Sequence, residues 1–182
     1  YTPGVAHVCN TIAKDKSLLS KYTMKSKSVA IISDGTAVLG LGNIGPEAAL
    51  PVLEGKAMLL KEIAGVDTYP ISVKTTDTNH LIQTIKAVAV TFGAIMLEDV
   101  KAPECFEVEE EILKAGIPIM HDDQHGTAMV VFAALTNACK ALKKEISQLK
   151  IVISGAGAAG TAITLLLLDN ASPFKEIADI FM

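Results

Sequence analysis

Two pairs of adjacent carboxylates, Glu98-Asp99 and Asp122-Asp123, each close an apolar run, "GAIMLED" and "IPIMHDD". A single amphipathic stretch, "ECFEVEEEILKAG", lies between them. If the two runs are parallel strands and the stretch is their crossover helix, both pairs arrive at the same edge of the sheet. Ligands of open α/β sheets collect at that edge. Carboxylates brought together there repel one another unless a cation intervenes, and hard oxygen donors suit Mg²⁺ or Mn²⁺. The plainer alternative is that each pair caps the helix that follows it or faces water. His121 and His125 flank the second pair. A histidine so placed can be a ligand, but more often it is a core group or supports the ligands.

A second kind of chemistry is written in glycines. G-x-G-x-x-G occurs at Gly40-Gly42-Gly45 and again at Gly155-Gly157-Gly160. The motif carries weight only in context. The second copy follows "KIVIS" directly and opens the apolar run "TAITLLLLD", so it reads as a strand, a phosphate-cradling turn and a helix. Gly155, Gly157, Ala158, Ala159 and Gly160 would present backbone amides to a dinucleotide pyrophosphate. The first copy precedes Pro46 and reads instead as close backbone packing against a substrate or strand. An acid that reads the ribose is expected at the end of the next strand. Asp169 and Asp179 are the nearby aspartates, and neither terminates a strand in this reading.

The elements that must position these residues follow from periodicity. "VAIIS" (29–33) reads as a buried strand ended by Asp34-Gly35. "PEAALPVLEGKAMLLKEIAG" reads as a helix starting at Pro46 and stopped by Gly65, with Pro51 interrupting it. "DTYPISVK" is the next strand, and "DTNHLIQTIKAVAVTF" is a helix capped by Asp77 or Thr78. "GTAMVVFAALTNACKALKK" is a long helix with Gly126-Thr127 near its start. This alternation predicts an α/β fold with a mostly parallel sheet and flanking helices. The polar stretch "CKALKKEISQ" then reads as a connection, placing a first domain at 1–148 and the start of a Rossmann-type nucleotide-binding domain at 149–182.

Bulk properties narrow the partners. Half the 182 residues are hydrophobic, 20% are charged and the net charge is -4. That is a globular composition, and with no Lys/Arg block it argues against a nucleic-acid partner. The apolar runs fall well short of the ~20 residues a membrane helix needs. Cys9, Cys105 and Cys139 are too dispersed for a disulfide framework or a zinc pattern. They read as buried or neutral thiols in a reducing compartment, the cytoplasm.

Taken together, "YTPGVA", "SDGTAVLGLGNIGPEAALPVLEGKA", "FGAIMLEDVKAPECFEVEE", "HDDQHGTA" and "VISGAGAAG" resemble malic enzymes, in their shorter bacterial form, from Tyr1 to about Leu168. The resemblance implies oxidative decarboxylation of malate to pyruvate with NAD or NADP and with Mg²⁺ or Mn²⁺, in a homodimer. It implies that Tyr1 is the acid that protonates the enol of pyruvate and that Lys56 is the general base on the malate hydroxyl. Glu98, Asp99 and Asp123 would be metal ligands, Asp122 an acid tied to the metal and the base, and Gly155, Gly157 and Gly160 the dinucleotide glycines. A lysine can serve as base only if its pKa is lowered, and a nearby cation is expected to lower it.

Two departures qualify the match. Larger malic enzymes carry an arginine after "DG", where this chain reads Thr36-Ala37, so that grip on malate must come from elsewhere. The family also continues well past Met182, and "EIADIFM" resembles one of its later strands. The sequence is therefore expected to be a piece of a longer protein, or to join distant segments near Asp169-Asn170. Rival readings are a metal-dependent oxaloacetate decarboxylase, a malolactic enzyme, and a catalytically silent fragment serving folding or dimerisation.

Overall fold

The computed structural model describes residues 1–38, 40–177 and 179–182. Six strands and seven α-helices are described, and the alternation expected from the sequence is their order. Helices α1 (Val5–Lys14) and α2 (Leu19–Tyr22) lead in and bury no residue. Then follow β1 (Ser28–Ser33), α3 (Pro46–Ala64), β2 (Asp67–Ser72), α4 (Thr78–Val88), β3 (Ala94–Leu97), α5 (Glu104–Lys114), β4 (Ile119–His121) and α6 (Asp122–Leu142). The chain ends with β5 (Lys150–Val152), α7 (Ala158–Leu168) and β6 (Asp179–Phe181).

The first four strands form one sheet in the order β2-β1-β3-β4, every pairing parallel. Alternation along β1 sorts the core into two layers. Ala30 and Ile32 join Leu81, Ile82 and Ile85 of α4 and Cys105, Val108 and Ile112 of α5. Ile31 points the other way, to Ala49 and Leu53 of α3. Helices therefore cover both faces. The chain winds outward from β1 to β2, then returns across β1 to β3. The strand order thus reverses between β1 and β3, and a crevice opens there at the carboxyl ends of the strands. Pro70, awkward in a central strand, sits in β2 at the sheet edge, where a missing N–H costs nothing.

Helix ends are set by local chemistry. Gly45 at φ 84° turns the chain into Pro46, the first residue of α3, and Gly65 at φ 69° stops it. Pro51 does not interrupt α3 as its type suggests. It falls early in the helix, and buried Ala49 and Leu53 anchor the backbone on either side. The Asp77 carboxylate caps α4 by accepting the His80 N–H at 3.1 Å.

A further cluster gathers Cys139 of α6, Leu167 of α7 and Phe174, with Phe132, Leu135, Ile151 and Ile180 around them. There β5 and β6 pair in parallel as a two-stranded sheet. Of "EIADIFM", Asp179–Phe181 form strand β6, and Ala178 lies outside the described residues. All three cysteines are free. Cys105 and Cys139 are buried as expected, whereas Cys9 on α1 is exposed. Burial pushes the Cys105 thiol up to about 12.

Candidate active site

The crevice between β1 and β3 is built from three loop ends. After β1, the Thr36 hydroxyl and N–H both donate to the Asp34 carboxylate, at 2.6 and 3.1 Å, and make a tight turn. That turn is tied to the one after β3. The Ala37 N–H donates to the Asp99 carbonyl at 3.0 Å, and the Lys101 N–H donates to the Thr36 hydroxyl at 3.0 Å. Asp99 takes a left-handed backbone, φ 51°, unusual for a residue with a side chain. Directly after β4, α6 begins at Asp122 and not at Gly126, as the sequence suggests. Asp122 and Asp123 thus form the first turn of a helix, where its dipole favours negative charge.

Glu98, Asp99 and Asp123 meet at this edge. One carboxylate oxygen from each lies within 4.8 Å of the other two. Glu98 and Asp99 are buried. Burial, reinforced by Asp123 and Asp99 and opposed by Lys56, pushes the Glu98 carboxyl up to about 7. For Asp123 burial also pushes upward, but hydrogen bonds from the His121 ring and the Asp99 N–H prevail and hold it below the usual carboxylate range. Three hard oxygen donors so close, two of them buried, form a set that a small divalent cation satisfies and that is costly without positive charge.

Positive charge comes from Lys56, in the middle of α3. Its ammonium pairs with Glu98 and donates to Asp122 Oδ2 at 2.7 Å. Burial works against the charged form, yet the hydrogen bonds to Asp122 and Glu98 outweigh it and hold Lys56 above the usual lysine range. Two carboxylates grip its proton in this arrangement, and the expected lowering is one that a cation bound nearby would bring. Gly126, one turn along α6, makes room for this arrangement, since a Cβ there would overlap the Asp122 carboxylate. A cleft of about 350 Å³ opens beside Asp122, lined also by Gly126, Thr127, Val130 and Val131.

Behind the carboxylates runs a polar chain. Fully buried His121 contacts Asp123 Oδ2 through Nε2 and the Gln124 amide nitrogen through Nδ1, both at 3.0 Å. Gln124 donates to Glu109 at 3.0 Å, and His125 Nε2 lies 2.8 and 3.0 Å from the two Glu109 oxygens. Neither histidine is among the clustered metal-type ligands. Glu109 went unnoticed in the sequence, although a signal was present. It falls on the face of α5 that buries Cys105, Val108 and Ile112, and a carboxylate among such residues requires partners.

The two glycine motifs differ in their geometry. Gly155 has φ 113°, Gly157 is the residue before α7, and Ala158 and Ala159 begin that helix. A Cβ on Gly160 would overlap the Gly155 carbonyl, so the third glycine lets helix and turn close together. In the first motif Gly40, Gly42 and Gly45 all have positive φ. The close approach read there is between Gly45 and Gly35, whose Cβ would overlap Gly45 backbone; it is loop against loop and not against a strand. Asp169 follows α7 and Asp179 begins β6, so neither ends a strand. Tyr1 is fully exposed. Its carbonyl accepts the Val5 N–H, and among the described residues no hydrogen bond or ring contact links its phenol to the carboxylates.

Comparison with known proteins bears on the same residues. The family model for the malic enzyme N-terminal domain matches residues 1–112, and that for the malic enzyme NAD binding domain matches 124–173. An NAD-dependent malic enzyme of Geobacillus stearothermophilus is 56% identical over 169 residues, covering 92% of this chain and 35% of the relative. A bifunctional malic/malolactic enzyme of Bacillus subtilis is 55% identical over 168 residues, covering 92% and 41%. The crystal structure of a malic enzyme from Pyrococcus horikoshii superposes with a TM-score of 0.89 at 49% identity, over 94% of this chain and 40% of that one. The chain therefore spans well under half the length of these relatives.

Proposed function

The chain belongs to the malic enzyme family, and we propose that the protein carrying it converts malate and NAD⁺ or NADP⁺ to pyruvate, carbon dioxide and NADH or NADPH. The observation that carries this reading is Lys56, held between Glu98 and Asp122 at the edge of a three-carboxylate cluster. Oxidising an alcohol by hydride transfer needs a base for the hydroxyl proton, and Lys56 is the residue placed to be one.

Glu98, Asp99 and Asp123 would hold Mg²⁺ or Mn²⁺. When bound, the cation supplies a Lewis acid that polarises the malate hydroxyl and the ketone formed from it. Lys56 must lose its own proton before it can accept another. Asp122 Oδ2 at 2.7 Å is positioned to receive it, and Lys56 would be freed of the second carboxylate gripping that proton were Glu98 committed to a cation. The Gly155–Gly160 turn would cradle the dinucleotide phosphates, and α7 would direct its N-terminus at them. Tyr1 is assigned the protonation of the enol through the family resemblance alone. Net acidity and the lack of a basic block argue against a nucleic-acid partner. No described helix is long and apolar enough to cross a membrane. A cytoplasmic homodimer completes the proposal.

The test is malate-dependent formation of NADH or NADPH by the purified protein with Mn²⁺, with pyruvate released in equal amount. No turnover defeats the reading. Lactate without net reduced nucleotide replaces it with malolactic chemistry. Decarboxylation of oxaloacetate without malate oxidation replaces it with a metal-only decarboxylase.

A further inference from the structure

The polar chain behind the carboxylates has one consistent proton arrangement. Gln124 has two amide hydrogens, and its nitrogen lies 3.0 Å from both Glu109 Oε2 and His121 Nδ1. Turned the other way, its carbonyl oxygen would face the Glu109 carboxylate, acceptor against acceptor. Glu109 is itself fixed, since it also receives the His121 backbone N–H at 3.2 Å and lies against the His125 ring. Gln124 therefore donates to Nδ1 of His121, and Nδ1 must accept. A neutral ring then carries its proton on Nε2, 3.0 Å from Asp123 Oδ2.

The same Asp123 oxygen accepts the Asp99 N–H at 3.1 Å. With two donors on Oδ2, Oδ1 is the oxygen left for a cation. The His121 ring is fully buried, so water does not compete for this bond.

We propose that His121 is a positioning residue whose Nε2–H fixes the rotation of Asp123 and so selects Oδ1 as the cation-binding oxygen, its tautomer set by Gln124 and Glu109. This rests on the reading of Glu98, Asp99 and Asp123 as a cation site. Metal-binding carboxylates and histidines commonly depend on such outer hydrogen bonds, and losing one typically weakens metal binding by about 10–100-fold.

The test has two independent arms. In the metal-free protein, nitrogen-15 NMR of labelled histidine should find the His121 ring protonated at Nε2 and bare at Nδ1, and any other pattern overturns the proposal. This arm needs no variant. In the second arm, Mn²⁺ affinity is followed by electron paramagnetic resonance. His121→Leu should bind about 10–100-fold more weakly, while His121→Gln, whose amide can donate from nearly the place of Nε2, should recover most of the loss. Parental affinity in a folded His121→Leu protein overturns the proposal, as does a His121→Gln protein no better than His121→Leu. Asp123→Asn separates the two levels. If it abolishes Mn²⁺ binding while His121→Leu binds like the parent, only the role of His121 fails. If it binds Mn²⁺ like the parent, the cation site itself is misassigned.

Discussion

Lys56 and Asp34 show, residue by residue, how burial and partners set proton affinity in this crevice. Lys56→Ala removes the group proposed to take the hydroxyl proton, and also the ammonium that pairs with Glu98. Malate oxidation should fall by roughly 10²–10⁴-fold, the usual worth of a positioned acid–base group. Mn²⁺ should bind as tightly as before or more tightly. Steady-state rates alongside Mn²⁺ titration check this, and unchanged turnover would reject Lys56 as base. Asp34 makes a different prediction. Burial raises its pKa in the folded protein, against the opposing hydrogen bonds of Thr36. Between the unfolded value, near 3.9, and the raised folded value, the native state binds more protons than the unfolded one. Stability therefore falls as pH rises through that window. Asp34→Asn keeps an oxygen for Thr36 and carries no charge. It should be more stable than the parent at pH 7, and the gap should vanish as pH drops below about 4. Denaturant titrations at both pH values decide it. Residues such as Glu98 and Asp123 were legible because their types announce their chemistry. Glu109 was harder to see, because its partners come from β4 and α6 and only folding brings them beneath α5.

Strands and helices were legible wherever one face is buried, because burial imposes the spacing that sequence reading detects. α4, capped by Asp77, lies where its cap and apolar positions indicate. The start of α6 was misread because a polar run, "HDDQ", looks like a loop when its partners are unseen. In the fold those side chains are absorbed by Lys56, the Asp99 N–H, Glu109 and each other, so the helix can begin four residues earlier. This earlier start is what puts Asp122 and Gly126 one turn apart on α6. Gly126→Ala should raise intrinsic helix propensity by up to about 1 kcal/mol, yet the new methyl takes the space of the Asp122 carboxylate. Asp122, partly exposed, swings aside at little cost and leaves Lys56. Thermal stability should hold or rise while the maximal rate of malate oxidation falls about tenfold or more, in the range of a displaced catalytic contact. A variant that loses stability and rate together would mean that the backbone of α6, not Asp122, has moved.

For the molecule as a whole, α6 is the member common to the carboxylate cluster and the Gly155–Gly160 turn. Its first turn carries Asp122 and Asp123. Its later turns place Phe132, Leu135 and Cys139 in the cluster with Leu167 of α7 and Phe174. Phe174 is fully buried and meets the Phe132 ring edge-on, with centroids 5.2 Å apart. The turn carrying Gly155–Gly160 is therefore held at a set position relative to the carboxylates by α7 packing on α6, while the four-stranded sheet holds the carboxylates themselves. Little of this was legible, since nothing in the spacing of "NASPFKEI" announces that Phe174 fills a core. Phe174→Ala deletes the centre of that packing, a change that costs about 3–5 kcal/mol in a well-packed core. The two functions should then separate. Mn²⁺ affinity, which in the proposed site depends on β3, β4 and the first turn of α6, should stay within about threefold of the parent, while nucleotide affinity should drop about tenfold or more, the equivalent of 1.4 kcal/mol or above. Titrating Mn²⁺ and NAD⁺ or NADP⁺ separately on the same preparation measures both. Equal losses in the two titrations would instead mean that α6 transmits the damage along its length and that the two clusters stand or fall as one unit.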